Sequence, residues 1–140
     1  LIALNADNQY SGVLCTAYAL RGGLQARLGD QADALVMLHR AALIARDEGI
    51  RPQLGSVLDW SVLALVRSGR PAVAVVFLAV LHEGALADVS NYLHTGAYSR
   101  EVALERLRPL VEDQYDALVA GGAAMTYDEV VAYAVEQLTT

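Results

Sequence analysis

Four side chains in this 140-residue chain belong to the types that ligate metals or act as strong nucleophiles: Cys15, His39, His82 and His94. Their spacings match no zinc-ligand pattern, and His82-Glu83 lacks the second histidine of an H-E-x-x-H helix. The histidines therefore read as helix-surface or loop residues. Cys15 has no neighbouring base to activate its thiol and reads as a small buried apolar residue. Two carboxylate pairs, Asp113 with Asp116 and Asp128 with Glu129, stand close enough in sequence for acid–base work. Each pair falls in the first turn of an expected helix, where a carboxylate already favours the helix dipole, so the placement needs no catalytic explanation. Gly22-Gly23 lies mid-helix rather than in a phosphate loop, and glycine costs about 1 kcal/mol there, which close helix packing can offset. No catalytic residue and no metal site is expected.

Composition narrows the partners. Apolar residues make up 55% and charged residues 19%, with a mean hydropathy of +0.34, which excludes a disordered segment. Sixteen acidic residues oppose ten basic ones, all of them arginine, for a net charge of −6. An acidic chain without a basic cluster repels phosphate backbones, so direct nucleic-acid contact is not expected. The longest apolar run, Ala72 to Leu81, is ten residues, against roughly 18–20 for a membrane span, so it reads as a buried core helix. A single cysteine excludes an internal disulfide and requires no oxidising compartment. No basic stretch precedes an apolar one at Leu1, so no signal peptide is expected; the segment reads as cytoplasmic and as a fragment of a longer protein.

The elements that must position these residues follow from periodicity. Val13, Ala17, Leu20, Leu24 and Leu28 form one helical stripe, read here as the packing face of a first helix. Gly29 stops it, and Asp30 with Asp33 three residues on caps the next helix, which carries Ala34, Leu35, Leu38, Ala41, Ala42 and Ala45 on one side. At an offset of forty residues Gly69 superposes on Gly29, Ala72 on Ala32, Ala74 on Ala34, Val76 on Val36, Leu78 on Leu38 and Arg67 on Arg27. A second hairpin is thus expected, with Ser56 to Asp59 as the N-terminal capping box of its first helix and Pro71 in the first turn of its second. Val73–Val80 is β-branched enough to suggest a strand, but Pro71 and the forty-residue correspondence favour helix. The expected architecture is all-α and a single domain. Antiparallel hairpins span 9–48 and 52–84, a connector spans 85–98, and C-terminal helices at 99–140 form a cap. In that cap Pro109 is expected to kink a helix or open a new turn, Gly121-Gly122 to end another, and Thr126 to Glu129 to start the last with a capping box.

In stacked hairpins the first helix of each pair lines the concave face. By helical spacing that face would display Thr16, Ala19, Gly23, Ala26 and Arg27 in the first unit. In the second it would display Ser56, Asp59, Leu63, Val66 and Arg67. Of these, Thr16, Gly23, Arg27, Asp59, Leu63 and Arg67 are the candidate partner-binding residues. The surface is small and apolar with two arginines in register, which suits another helix or a short apolar segment. The apolar terminus Leu1–Leu4 shows no polar cap, so further repeats or a second copy are expected to pack there.

The hairpins resemble tetratricopeptide repeats. With Gly29 at the repeat's turn glycine, Gly22, Ala34, Leu38 and Ala41 fall on its small and large packing positions. The second unit keeps Ala74 and Leu78 but places Val62 and Leu81 where that family prefers small residues. A more specific resemblance runs from Leu28-Gly29-Asp30 through Ala45-Arg46-Asp47-Glu48-Gly49 and Ser68-Gly69-Arg70-Pro71 to the tail. There Leu104 to Arg108, Tyr115 to Met125 and Thr126 to Ala134 resemble the C-terminal helical domain of actinobacterial LuxR- and AfsR(SARP)-type regulators and of some adenylate-cyclase-like regulators. Where that family has Trp-Ala-Glu-Gly before the last helix, this chain has Leu118 to Gly122. The resemblance implies a STAND-class ATPase module upstream. It also implies a non-catalytic interaction or sensor role here, with a protein partner or that module as the contact. ATP would belong only to the upstream domain, since no GxxxxGK[ST] motif occurs in this segment. Two other readings stay open: a stand-alone peptide-binding or homodimeric scaffold, and a small-molecule sensor with a cavity among Tyr18, Trp60, Phe77 and Tyr92.

Overall fold

The computed structural model describes residues 2–89 and 96–139, with side chains described from 12 to 89 and from 100 to 139. Seven α-helices and one 3-10 turn, with no strand among the described residues, make up the fold: α1 (Ile2–Leu28), α2 (Gln31–Glu48), α3 (Arg51–Arg67), α4 (Pro71–Glu83), α5 (Gly96–Val111), the 3-10 turn Glu112–Gln114, α6 (Tyr115–Ala124) and α7 (Tyr127–Leu138). The fold is all-α, as the periodicity predicts, and the β-branched run settles as α4 with Pro71 in its first turn and Ala74 to Leu81 all buried.

The two hairpins close with the same turn. Gly29 and Gly69 sit at φ +100° and +76°, a region open to glycine at no steric cost. In each, the N–H of the following residue reaches back five positions, Asp30 to the Gln25 carbonyl at 3.0 Å and Arg70 to the Leu65 carbonyl at 2.8 Å. These bonds satisfy carbonyls that a helix end otherwise leaves orphaned. Donors, acceptors and glycines all repeat at forty residues. Asp30 caps α2, its Oδ1 accepting from the Asp33 N–H at 3.0 Å.

Helix α1 packs on α2 and α3, α3 also on α2 and α4, and α4 on α5, while α6 lies on α4 and α7 on α2. The core between these helices is largely aliphatic, with Leu38, Leu54, Leu58, Leu65, Phe77 and Leu81 fully enclosed. Phe77 of α4 meets the Tyr133 ring of α7 edge-to-face at 6.0 Å, an arrangement aromatic quadrupoles favour. Gly122 brings the α6 backbone against α4: an added Cβ would stand 2.8 Å from the Val76 carbonyl oxygen.

Three expectations change. The Val13–Leu28 stripe is exposed: Val13, Leu20, Leu24 and Leu28 point away from the core. Helix α1 instead buries Cys15, Ala19, Gly22, Gly23 and Ala26, because small side chains let α2 and α3 come closer than leucines would. Ser56 starts no helix. Helix α3 already begins at Arg51 with Pro52 in its first turn, where a missing N–H costs nothing. Gly121-Gly122 ends no helix, since α6 runs through both to Ala124. Pro109 sits inside α5, which continues to Val111 before Glu112 turns the chain at φ +50°. The capping box on α7 forms in full: the Glu129 N–H donates to Thr126 Oγ1 at 3.2 Å and the Thr126 N–H donates to Glu129 Oε1 at 2.9 Å.

Candidate interaction surface

Five of the six residues singled out for partner contact divide between two places. Gly23, Arg27 and Arg67 belong to the seam between α1 and α3. Gly23 is buried beneath Trp60, whose ring leaves no room for a Cβ. The Arg27 guanidinium covers that ring from outside, 5.7 Å from its centroid, at cation–π range. Arg67 reaches across from α3, its Nη1 donating to the Ala26 carbonyl at 2.7 Å and to the Arg27 carbonyl at 3.4 Å. The Ala26 carbonyl also accepts from the Gly29 N–H at 3.3 Å and the Gln31 side-chain amide at 2.8 Å, and the Arg67 cation complements the negative end of the helix there. Thr16 is exposed and donates to the Gly12 carbonyl of its own helix at 3.1 Å.

Asp59 and Leu63 face the groove between α3 and α5. Together with Val62, Val66, Val102, Ala103, Arg106 and Leu107 they line an open groove of about 370 Å³. An ion pair ties the two helices there: Arg100 Nη2 stands 3.4 Å from Asp59 Oδ2, and both side chains are 7% exposed. Arg100 Nη1 also donates to the Leu81 carbonyl at 2.8 Å, fastening α5 to the end of α4. The carboxylate singled out for a partner thus spends at least one oxygen inside the protein. Leu63, half-buried on the groove wall, remains the apolar contact offered outward.

Arg100 carried no signal in the sequence, because a cation forty-one residues beyond its carboxylate has no periodic relation to it. The same is true of Arg51, which opens α3. Its Nη2 donates to the Ala85 carbonyl and to Asp88 Oδ1, both at 2.6 Å, and its guanidinium lies 5.6 Å from the Tyr127 ring centroid. That arginine holds the start of α3, the turn after α4 and the start of α7 in one place. The Arg51 hydrogen bond keeps the Asp88 carboxyl below its ordinary range.

Burial pushes the Cys15 thiol up to about 11, and the thiol donates to the Ala41 carbonyl at 3.3 Å, so at neutral pH it is a packed, protonated side chain. His39 stands by Thr139 at 3.3 Å on the α2–α7 edge, and His94 lies outside the described residues. Among the described residues no three His, Cys, Asp or Glu side chains gather to hold a metal ion, and no helix is long and apolar enough to cross a membrane. The aromatics proposed to share a cavity occupy separate interfaces: Tyr18 beneath Arg40, Trp60 against Gly23, Phe77 against Tyr133, with Tyr92 outside the described residues. Compared with known proteins, the chain matches no family model, no curated protein and no solved structure.

Proposed function

We propose that this chain is a non-catalytic protein-contact domain of a bacterial signalling or transcriptional regulator. The groove between α3 and α5 carries the reading. Its lining is Val62, Leu63, Val66, Val102, Ala103 and Leu107 with the polar side chains of Asp59 and Arg106, it is open to solvent, and Asp59 is engaged by Arg100. A groove of that kind gains by burying an apolar segment. The resemblance to actinobacterial LuxR- and AfsR-type regulators supplies the setting: a cytoplasmic protein in which this domain holds an upstream ATPase module in one assembly state or transmits a partner's arrival to it.

The test uses the full-length gene product. A GxxxxGK[ST] motif upstream and a change in assembly state or ATP hydrolysis on Leu63→Glu are the expected results. Light scattering and phosphate release read them, and circular dichroism checks that the variant folds. The absence of an ATPase module together with unchanged assembly would overturn the reading.

A further inference from the structure

The outward face of α1 is built like half of a helix–helix interface. Val13 is 68% exposed, Leu20 39%, Leu24 46% and Leu28 82%, and Ala17 between them is exposed too. Large apolar side chains scattered singly on a surface need no explanation, but a run at spacings of four, three, four and four marks a docking surface. On a helix with about 100° per residue the stripe is centred on Leu24 and spans about 80°. Arg21 and Arg27 stand about 60° to either side of that centre. Between Gly12 and Leu28 there is no acidic residue. Arg27 leans on Trp60, while Arg21 makes no ion pair or hydrogen bond within the described structure.

From this charge pattern we infer that the α1 stripe receives an amphipathic helix of a partner protein whose apolar face is bordered by Asp or Glu. A second copy of this chain fits poorly, because α1 laid on α1 sets apolar stripes bordered only by arginine against each other. An anionic membrane fits poorly as well, since two arginines are few for surface attraction and the chain carries a net charge of −6. A helix with acidic borders meets both arginines and covers all four large side chains.

Two designed peptide helices with the same leucine stripe, one bordered by glutamates and the other by lysines, separate these cases. Binding to the whole chain is read by fluorescence anisotropy at low salt. The glutamate-bordered peptide is expected to bind roughly tenfold tighter, the combined effect of two exposed ion pairs gained rather than two repulsions. Leu24→Asp is expected to abolish binding. The double variant Arg21→Glu/Arg27→Glu is expected to reverse the preference, and Arg21→Glu alone, at a position without internal partners, to narrow it. Equal binding of the two peptides, or binding of neither, overturns the inference. So does a dimer in light scattering that Leu24→Asp dissolves, or partitioning onto phosphatidylserine vesicles that Leu24→Asp prevents. The α3–α5 groove is untouched by these variants, so failure here leaves Leu63→Glu as a separate test of the proposed function.

Discussion

Two glycines inside helices should answer the same substitution in opposite directions. Replacing a helix-interior glycine by alanine stabilises by about 1 kcal/mol through reduced backbone freedom in the unfolded chain. At Gly121 in α6 an added Cβ meets nothing within 4 Å, so Gly121→Ala should realise about 0.5–1 kcal/mol of that gain. At Gly23 in α1 the same Cβ overlaps the Trp60 ring, with Cδ2 and Cζ3 both at 2.8 Å. The ring has little room to yield, because it is buried in the seam and covered by Arg27. Overpacking of a fixed neighbour costs about 1–3 kcal/mol, and together with a separation of α1 from α3 it should exceed the propensity gain by about 1–2 kcal/mol. For a domain of this size 1 kcal/mol moves Tm by roughly 4 °C. Far-UV circular dichroism melts should therefore show Gly23→Ala lower than the parent by roughly 4–8 °C and Gly121→Ala higher by roughly 2–4 °C. A Gly23→Ala variant that melts above the parent would refute the close approach of α1 to α3.

Three further outcomes follow from the same contacts. Arg100→Met leaves Asp59 buried beside an apolar chain and should lose about 3 kcal/mol in urea unfolding, whereas Asp59→Leu/Arg100→Met should return to within about 1 kcal/mol of the parent; equal losses would mean the pair has no coupling. Cys15, with its thiol raised from 9.0 to about 11, should react with iodoacetamide at pH 8 about 100-fold more slowly in the folded chain than in urea; prompt alkylation without unfolding would contradict its burial. Raising the folded value above the unfolded one also means that stability is lost as pH rises from the unfolded thiol range toward 11. The Glu129 carboxyl is held below its ordinary range by the Thr126 N–H and hydroxyl. Its contribution should accordingly be present above the unfolded carboxylate range and fade as pH falls through the folded value. Glu129→Gln should then lower Tm at pH 7 and matter less near pH 3; an equal effect at both would assign the cap no electrostatic part.

The hairpin turns were legible because their signal is stereochemical. Gly29 and Gly69 must both reach positive φ, and their flanking residues repeat the same bonds. The inner faces of α2 and α4 were legible for a related reason, since alanines and leucines alternate where two helices meet. The rotation of α1 was not. Its leucine stripe carries the stronger periodic signal, but the approach distance is decided by Cys15, Ala19, Gly22, Gly23 and Ala26, whose small side chains weigh little in any hydropathy pattern. Ser56 to Asp59 mimicked a helix start that Pro52 had already supplied four residues earlier. Of the groove between α3 and α5, Leu63 could be placed from spacing alone. The internal partner of Asp59 could not, because Arg100 comes from a helix whose register on α3 no local pattern specifies.

Helix α7 changes how this molecule comes apart. In an open stack of hairpins each unit touches its neighbours alone, so loss of order can begin at one end and spread. Here Thr139 reaches His39 at 3.3 Å, and Arg70 donates to the Gln137 carbonyl at 2.7 Å and to its side-chain oxygen at 2.6 Å. The last helix thereby latches both earlier units at once. Fraying of α7 strips cover from α2 and α4 simultaneously, and neither pair can open without releasing it, so melting should be one sharp event and clipping the final turn should weaken the opposite end of the protein.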